Sequence, residues 1–345
     1  MSDPATLLQP GLLPDLRYVT DSQPGISRRR VRGKFVYFDA HGERVRDREE
    51  IRRLEQLAIP PAYTDVWICT DPQGHLQAVG RDARGRKQYR YHPDWRKVRD
   101  SGKYERLLAF GRALPQLRAT VDRHLRLRTL NQDKVLATVV ALLDATLIRV
   151  GNSQYARDNQ SFGLTTLRNR HVKVQGNGLF FRFRGKSGIE HQISLNDPRL
   201  ARIVRRCKEL PGQQLFQYLD ANGERRNVSS SDINFYLHSH SGDSFTAKDY
   251  RTWAGTTLAL QYLTTASAAG ESGSQHMLNE AIKQVASRLG NTPTICRKCY
   301  IHPAVLAAFS EGSLARLSRG RKRKGLSAEE SRLMRFLEAQ QERSA

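Results

Sequence analysis

Residues 134–152 read KVLATVVALLDATLIRVGN, a strongly apolar stretch whose hydrophobic residues recur at helical spacing. The pattern predicts a helix buried in the core, so the fold around it should be built mainly of helices. We expect this helix to end at Arg149-Val150-Gly151, with Gly151 as its C-cap. Arg149 would then be a permanent cation at the end of a core helix, which needs an anion or several hydrogen-bond acceptors. An internal ion pair and a phosphate ligand both meet that need.

The flanking segments predict a mainly α domain over residues 99–345. Residues 104–128 have the spacing of one or two amphipathic helices, and residues 200–285 are largely helical in pattern. Within them KDYRTWAGTTLALQYL, residues 248–263, opens a helix with Arg251 in its first two turns. The helical pattern on both sides therefore agrees with the central apolar stretch.

A three-stranded sheet interrupts this helical domain near residues 171–195. Glycine-containing turns at 176–178 and 185–188 separate its strands. Lys186 lies at the tip of the second hairpin, where it can reach into a neighbouring groove. The GKS tripeptide at this tip is not a phosphate-binding P-loop, because Phe180 occupies the position where that motif needs a glycine. We therefore expect no ATP site.

The N-terminal part of the chain has a different character. Residues 1–27 are predicted to be irregular, and residues 28–98 to form a β-rich domain with one or two helices, one of them within 48–59. The polar stretch 97–103 is typical of a linker. Two domains also agree with a length of 345 residues, above the size at which one hydrophobic core is usual.

The last predicted strand of this domain is a candidate DNA-binding element. In GRKQYRYHPDW, residues 85–95, the period of two places the two tyrosines on one face of the strand. Basic, amide and aromatic side chains here can neutralise phosphates, pair with a base edge and contact bases or sugars. The residues concerned are Arg86, Lys87, Gln88, Tyr89 and Tyr91. The alternative is an ordinary half-buried strand whose tyrosines belong to the core.

The charge of the chain favours a polyanionic partner. Lys and Arg number 57 against 34 Asp and Glu, a formal net charge of +23 with a pI near 10.3. DNA or RNA is the leading candidate, and a ribosome-associated or membrane-surface protein is the alternative. No apolar run is long enough to predict a membrane span, and the N-terminus lacks the pattern of a secretory signal. We expect a cytoplasmic protein.

The cysteines predict no metal site. The chain has four, and Cys296-x-x-Cys299 has the spacing of half a zinc site. No second ligand pair completes it, and no tight carboxylate cluster suggests Mg²⁺. We therefore expect two ordinary thiols here, reduced in a cytosolic chain.

Five side chains form a chemically coherent set: Arg149, Lys186, Arg251, Asn291 and Tyr300. A tyrosine that attacks a phosphodiester forms a covalent phosphotyrosine, which conserves the bond energy and allows resealing without ATP. Two arginines can stabilise the charge on the non-bridging oxygens and favour the phenolate, and a lysine can protonate the departing 5′ oxygen. Spacing alone does not select these five among 57 basic residues and 12 tyrosines.

Ordered motifs do select them. From about residue 25 to 310 the chain resembles the small type IB DNA topoisomerases, the poxvirus-like form also found in bacteria. The motifs are IPPAYTDVWICTDPQGHLQAVGRDARGRKQYRYHPDW, IRVGNSQYARDNQSFGLTTL, FRGKSGIEH, KDYRTW and LGNTPTICRKCYIHP. The resemblance implies an α+β protein that forms a C-shaped clamp around duplex DNA. It also implies a monomer of the bacterial nucleoid that relaxes positive and negative supercoils without ATP or metal.

The resemblance also implies a role for each of the five residues. Tyr300 would attack the scissile phosphate to form a 3′-phosphotyrosyl link and free a 5′-hydroxyl. Arg149 and Arg251 would clamp that phosphate, and Lys186 would act as the general acid. Asn291 departs from the family, which commonly has histidine at this position. Because an amide cannot transfer a proton, we expect Asn291 to hydrogen-bond a non-bridging oxygen.

Two other functions remain as alternatives. A tyrosine recombinase resembles the same catalytic fold, but its second-arginine motif usually reads His-x-x-Arg, where this chain has Lys248-Asp249-Tyr250-Arg251. Its N-terminal domain is also usually helical rather than β-rich. A non-catalytic DNA-binding relative is the other alternative, although all five catalytic positions here carry chemically competent residues.

Overall fold

The computed structural model describes residues 16–344, apart from residues 18, 20, 22, 84, 86, 221, 244, 318 and 319. The chain divides into two compact units, Met1–Tyr104 and Glu105–Ala345. The first is built around a β-sheet and the second is mostly helical, which confirms the predicted α+β class.

Among its described residues, the first unit contains an antiparallel sheet of five strands in the order β2-β1-β3-β4-β5 and a nine-residue helix, and a longer helix begins within it. The strands are β1 (Ile26–Val31), β2 (Lys34–Phe38), β3 (Thr64–Ile68), β4 (Leu76–Arg81) and β5 (Lys87–Tyr91). Helix α1 (Arg48–Gln56) follows β2 and begins at Asp47, whose side chain accepts a hydrogen bond from the Glu49 backbone amide at 3.0 Å. The aspartate satisfies one of the amides that a helix start leaves unpaired.

Strand β1 corrects the expectation that residues 1–27 are irregular, because it begins at Ile26. Three consecutive arginines, residues 28–30, interrupt the alternation of apolar and polar residues that usually identifies a strand. Their cationic ends lie over neighbouring rings or carbonyls: the Arg28 guanidinium carbon lies 4.1 Å from the Phe35 ring centroid, and that of Arg29 lies 4.8 Å from Phe38. A strand of basic residues is therefore compatible with a sheet when aromatic partners face it.

The segment predicted as a linker, residues 97–103, is also different in the structure. It lies inside helix α2 (Pro93–Leu125), which runs for 33 residues. The single glycine in the segment costs about 1 kcal/mol in a helix interior, which is too little to end a helix of this length.

The second unit surrounds helix α3 with helices and two small sheets. The helices after α2 are α3 (Gln132–Thr146), α4 (Ser153–Asn159), α5 (Pro198–Glu209), α6 (Ser230–Ser241), α7 (Ala247–Ala268), α8 (Gln275–Leu289), α9 (Pro293–Cys299), α10 (Pro303–Ser310) and α11 (Ala328–Ser344). Strands β6 (Val172–Gln175), β7 (Gly178–Arg184) and β8 (Glu190–Asn196) form the predicted three-stranded sheet in sequential order. A hairpin of β9 (Gln217–Leu219) and β10 (Arg225–Asn227) interrupts the region predicted to be helical.

Helix α3 is buried as predicted, but it ends earlier than expected. It stops at Thr146, and Leu147 adopts the left-handed conformation of a C-cap at φ 58°. Gly151 is not the cap; it has a φ of +105° and lies against Gly163, where a Cβ on Gly151 would come within 3.1 Å of the Gly163 carbonyl carbon. Arg149 therefore lies in a loop beyond the helix.

The C-terminal helix α11 is joined to the rest of the unit by a half-buried ion-pair network. Arg118 of α2 contacts Asp144 of α3 at 2.7 Å and Glu330 of α11 at 2.9 Å. The Trp253 indole of α7 donates to Glu330 at 2.9 Å. The network connects four helices, including the one that carries Arg251. None of the helices in the described residues is long and apolar enough to cross a membrane.

Candidate active site

The loop after α3 presents Arg149 to the C-terminal end of α8. A 3₁₀ turn at Leu164–Thr166 fixes this loop, because the Leu164 amide donates to the Arg149 carbonyl at 2.8 Å. The Arg149 Nη1 atom donates to the Gly290 carbonyl at 3.2 Å, and its Nη2 atom donates to the Asn291 side-chain oxygen. The acceptors are all uncharged.

Arg251 is the most buried cation of the set, with 4% of its surface exposed. It lies in the second turn of α7 and donates from Nη1 to the Leu147 carbonyl and from Nη2 to the Leu289 carbonyl at 2.7 Å. These carbonyls end helices α3 and α8, where the helix dipole favours a cation. Burial, followed by the repulsion of the Arg149 guanidinium, lowers the pKa of Arg251 to about 10, so the group stays charged at neutral pH.

The segment after α8 brings Asn291 beside both arginines. Gly290 ends the helix in the left-handed conformation at φ 57°, which turns the chain sharply toward α9. The Asn291 side-chain nitrogen is buried and has no hydrogen-bond partner among the described residues. The buried Arg251 Nε likewise lacks a partner there. Two buried donors at this point thus have no acceptor within the described chain.

Tyr300 follows α9 and lies against Arg251. The Arg251 guanidinium carbon is 5.2 Å from the centroid of the tyrosine ring, within the range of a cation–π contact. The Tyr300 amide donates to the Cys296 carbonyl at 2.9 Å, and its carbonyl accepts from the Thr256 hydroxyl at 3.4 Å. These contacts fix the backbone of the tyrosine on helix α7.

Gly255 permits this close approach, and sequence reasoning did not identify it. A Cβ at this position would lie 2.5 Å from the Tyr300 carbonyl oxygen. Gly255 is one helical turn after Arg251, so both residues lie on the same face of α7. An isolated glycine inside a helical pattern signals a packing reason, and in this helix the reason is the tyrosine backbone.

Lys186 stands apart from the other four residues. It lies in the exposed turn between β7 and β8, as predicted, and the following Ser187 adopts a φ of 64°. Within the described part of the chain its ammonium group has no hydrogen bond or ion pair. The structure thus brings together Arg149, Arg251, Asn291 and Tyr300, and leaves the lysine on the surface.

His191 is a further residue of this region that the sequence reasoning missed. It faces inward from β8, opposite Phe183, with the two ring centroids 5.0 Å apart and the rings nearly parallel. The alternation of His191, Ile193 and Leu195 on the inner face of β8 would have revealed a polar ring on an otherwise apolar face. Burial, followed by the positive charges of nearby guanidinium groups, lowers the pKa of this imidazole.

The Cys296 thiol near Tyr300 is unsuited to nucleophilic chemistry at neutral pH. Cys296 is fully buried, and burial raises the pKa of its thiol to about 11. The protonated thiol is a weak nucleophile. In the part of the chain that the structure describes, no three His, Cys, Asp or Glu side chains converge on a possible metal position.

Among the residues that the structure describes, no carboxylate forms an ion pair with the arginines of the site. Neither Arg149 nor Arg251 forms a salt bridge with any described Asp or Glu, in contrast to Arg118, which binds two carboxylates. The internal ion pair considered for Arg149 is therefore wrong for the described residues. Two guanidinium groups held by neutral acceptors next to a tyrosine form a site for an oxyanion.

In the first unit, β5 exposes one of the predicted DNA-binding residues clearly. Tyr89 has 46% of its surface exposed and stacks on Tyr91, with ring centroids 6.2 Å apart. Gln88 is half-buried and donates to Asp82 at 3.0 Å. Arg86 lies outside the described residues, and Lys87 begins β5. The exposure of Tyr89 argues against its assignment to the core.

Comparisons with known proteins agree with this geometry. The sequence matches the family described as eukaryotic DNA topoisomerase I, catalytic core, over residues 92–323, and the bacterial DNA topoisomerase IB N-terminal domain over residues 34–82. It is 30% identical to DNA topoisomerase 1B of Acanthamoeba polyphaga mimivirus over 285 residues, or 80% of this chain and 85% of that protein. It is 22% identical to DNA topoisomerase 1B of Vaccinia virus (strain Copenhagen) over 262 residues, or 73% and 80% of the two chains. The chain therefore belongs to the type IB DNA topoisomerases.

Proposed function

We propose that this topoisomerase relaxes supercoiled duplex DNA by transient cleavage of one strand at Tyr300. The phenolic oxygen attacks the phosphorus and loses its proton, the bond from phosphorus to O5′ breaks, and O5′ gains a proton. The product is a 3′-phosphotyrosyl link with a free 5′-hydroxyl. Attack by that hydroxyl on the same phosphorus reverses the step and reseals the strand after the DNA has rotated.

The observation that carries this proposal is the pair of arginines beside the tyrosine ring, neither of which has a carboxylate partner among the described residues. Phosphoryl transfer spreads negative charge over the non-bridging oxygens. Arg149 and Arg251 are held by neutral carbonyl and amide oxygens, so their charge is available to those oxygens. Fixed donors that need not reorganise during the reaction stabilise the transition state most effectively.

Asn291 and Lys186 have complementary roles in this proposal. The Asn291 side-chain oxygen holds Arg149, and its unpartnered nitrogen is the donor for a non-bridging oxygen. Lys186 protonates O5′ as it leaves and accepts the proton back during religation. The exposed position of the lysine suits a group that meets its substrate only when DNA is bound.

The energetics of the reaction require no ATP. One phosphodiester bond is exchanged for another, so the energy for resealing stays in the covalent intermediate. The guanidinium groups supply the charge stabilisation that metal ions supply in other phosphoryl-transfer sites. We therefore propose an enzyme that needs neither ATP nor metal, and that acts as a monomer in the cytoplasm on nucleoid DNA.

Strand β5 is proposed to contact the DNA duplex through Arg86, Lys87, Gln88, Tyr89 and Tyr91. The exposure of Tyr89 and its stacking on Tyr91 support a preformed aromatic contact surface. The net charge of +23 supports additional, sequence-independent attraction to phosphate.

The direct test is plasmid relaxation in EDTA without ATP. Wild type is expected to relax both negatively and positively supercoiled plasmid, and Tyr300→Phe, which lacks the attacking oxygen, is expected to relax neither. Failure of the wild type under these conditions, or relaxation by Tyr300→Phe, would exclude the proposed mechanism.

A further inference from the structure

We propose that His191 is a positioning residue of the active site, whose imidazole keeps the Lys186 hairpin in register with the Gly290-Asn291 segment. The proposal deepens the function proposed above and rests on the role of Lys186 in it. It concerns the distance between the general acid and the phosphate-binding groups.

The imidazole is enclosed between two glycines, one from each segment. A Cβ at Gly185 would lie 2.5 Å from the imidazole Nε2, and a Cβ at Gly290 would lie 2.4 Å from its Cε1. The ring therefore touches the backbone directly before Lys186 and directly before Asn291. Any shift of the ring moves one of these two backbones or opens a gap next to the other.

The plane of the ring is fixed from the sheet. His191 pairs directly across the strands with Phe183, and the interplanar angle of the stacked rings is 15°. Phe183 is buried in the core of the second unit. The imidazole is thus a rigid spacer whose position is set by the core and not by the surface turn.

His191 acts through packing and not through charge. Burial is the first cause of its lowered pKa, and Arg149 and Arg251 lower it further, while Glu190 opposes them. The ring is therefore neutral at neutral pH. Among the described residues it has no hydrogen-bond partner, and it packs against the Phe183 ring and the backbone at Gly185 and Gly290.

This link matters because, within the described chain, no hydrogen bond or ion pair joins Lys186 to the four packed residues. The Gly290 carbonyl accepts from Arg149, so the same backbone that touches the imidazole also holds a phosphate-binding arginine. Displacement of a catalytic group by about 1 Å can cost roughly 100-fold in rate. A spacer between the two segments is thus expected to control the rate of proton donation.

The test is single-turnover cleavage of two DNA substrates by His191→Ala. One substrate has the ordinary bridging O5′, and the other has sulfur there, whose thiolate leaves without a proton. We expect His191→Ala to slow cleavage of the ordinary substrate about 10- to 100-fold and of the sulfur substrate by less than about threefold. Ile193→Ala is the matched control, since it truncates the next inward residue of β8 and should slow both substrates equally and weakly.

A double-variant cycle separates this proposal from the role of Lys186. If His191 acts by positioning Lys186, the double variant His191→Ala/Lys186→Ala should cleave no more slowly than Lys186→Ala alone. Lys186→Ala should itself be rescued by the sulfur substrate. If the sulfur substrate does not rescue Lys186→Ala, the general-acid role is contradicted. If the double variant still cleaves no more slowly than Lys186→Ala, the positioning role of His191 is supported all the same.

A second variant keeps the proposal falsifiable if His191→Ala folds poorly. Gly185→Ala retains the imidazole but pushes against it, and should show the same substrate-dependent loss. In the double variant Gly185→Ala/His191→Ala the new methyl group has room. The double variant should therefore cleave the ordinary substrate no more slowly than His191→Ala alone. Equal slowing of both substrates, multiplicative effects in the cycle, or no slowing by either variant would overturn the proposal.

Discussion

The residues proposed for cleavage belong to two regions that the fold treats differently. Arg149, Arg251, Asn291 and Tyr300 are packed together where α3, α7, α8 and α9 meet, and each is held by specific backbone or side-chain contacts. Lys186 lies on an exposed hairpin turn. It forms no hydrogen bond or ion pair with any described residue. The proposed phosphate-binding region is therefore assembled without DNA, whereas the proposed proton donor is placed by its hairpin.

The difference reflects the chemistry of the two roles. Charge stabilisation is most effective when donors are fixed in advance, because no reorganisation is then needed in the transition state. The packed region meets this requirement by surrounding two cations with the carbonyl ends of helices. A lysine that stayed buried there would face two guanidinium groups and be deprotonated more easily. Placement on a solvent-exposed turn avoids this effect.

The largest effect is expected from Arg251→Ala, which removes the central cation of the packed region. We expect single-turnover cleavage to fall about 100- to 1,000-fold, on the scale of losing an oxyanion donor, on both the ordinary and the sulfur-bridged substrate. Arg288→Ala is the control, because Arg288 is an exposed arginine in the last turn of α8. If Arg251→Ala cleaved the sulfur substrate at the wild-type rate, Arg251 would contribute to proton donation like Lys186. The separation of charge stabilisation from proton donation would then be wrong.

Gly255→Ala tests whether the tyrosine needs its close approach to α7. The new Cβ would lie 2.5 Å from the Tyr300 carbonyl oxygen, so the tyrosine must move away from Arg251. We expect cleavage to slow about 10- to 100-fold. A glycine-to-alanine change inside a helix ordinarily stabilises the protein by about 1 kcal/mol. An unfolding temperature of Gly255→Ala that is equal to or below that of wild type would therefore indicate the clash. Faster cleavage or a raised unfolding temperature with full activity would contradict it.

Asn291 substitutions separate hydrogen bonding from proton transfer. Asn291→His keeps a donor beside Arg149 and should retain relaxation, whereas Asn291→Ala should lose about tenfold in cleavage rate, the scale of one hydrogen bond to a charged group. Plasmid relaxation and single-turnover cleavage measure both. Equal activity of Asn291→Ala and wild type would remove Asn291 from the site.

The smallest effect on cleavage is expected from Glu330→Gln, which weakens the support of α7 far from the reacting atoms. Burial alone would raise the pKa of Glu330, but the Arg118 guanidinium holds it below its usual value. Weakening this half-buried pair, while Arg118 keeps Asp144, should cost about 1 to 2 kcal/mol of unfolding free energy at pH 7, measured by urea denaturation. Cleavage well below the unfolding temperature should stay near wild type.

The same variant has a defined pH dependence. Because the folded-state pKa of Glu330 is depressed, its stabilisation is present above the unfolded pKa, near 4.3, and is lost as the pH falls through the lower folded value. The stability difference between wild type and Glu330→Gln should therefore shrink below about pH 4. A difference that is constant from pH 7 to pH 3 would show that the Glu330 charge does not contribute.

The sequence predicted the elements of the second unit well where local signals are strong. The apolar spacing of residues 134–152 placed α3 in the core, and the two glycine turns placed the hairpin of Lys186. The early end of α3 could not be predicted from the sequence. Leu147 adopts the left-handed conformation there, and its carbonyl accepts a hydrogen bond from Arg251. That contact joins residues 104 positions apart and leaves no local signal.

The site residues were selected by family motifs, and the contacts among them needed the fold. The position of Arg149 at the end of an apolar helix left open an internal ion pair or a phosphate ligand, and the family motifs favoured the phosphate. Gly255 and His191 act through close packing against backbone from distant segments, which no spacing rule describes. The inward position of His191 was available from the alternation of β8, but its neighbours Gly185 and Gly290 were not.

The measurement that tests the central claim most directly is identification of the covalent link between enzyme and DNA. A substrate that releases a short 5′-hydroxyl strand on cleavage traps the intermediate, and mass spectrometry of the protease-treated complex locates the modified residue. We predict a 3′-phosphate joined to Tyr300. A link through a 5′-phosphate, or to any residue other than Tyr300, would contradict the account.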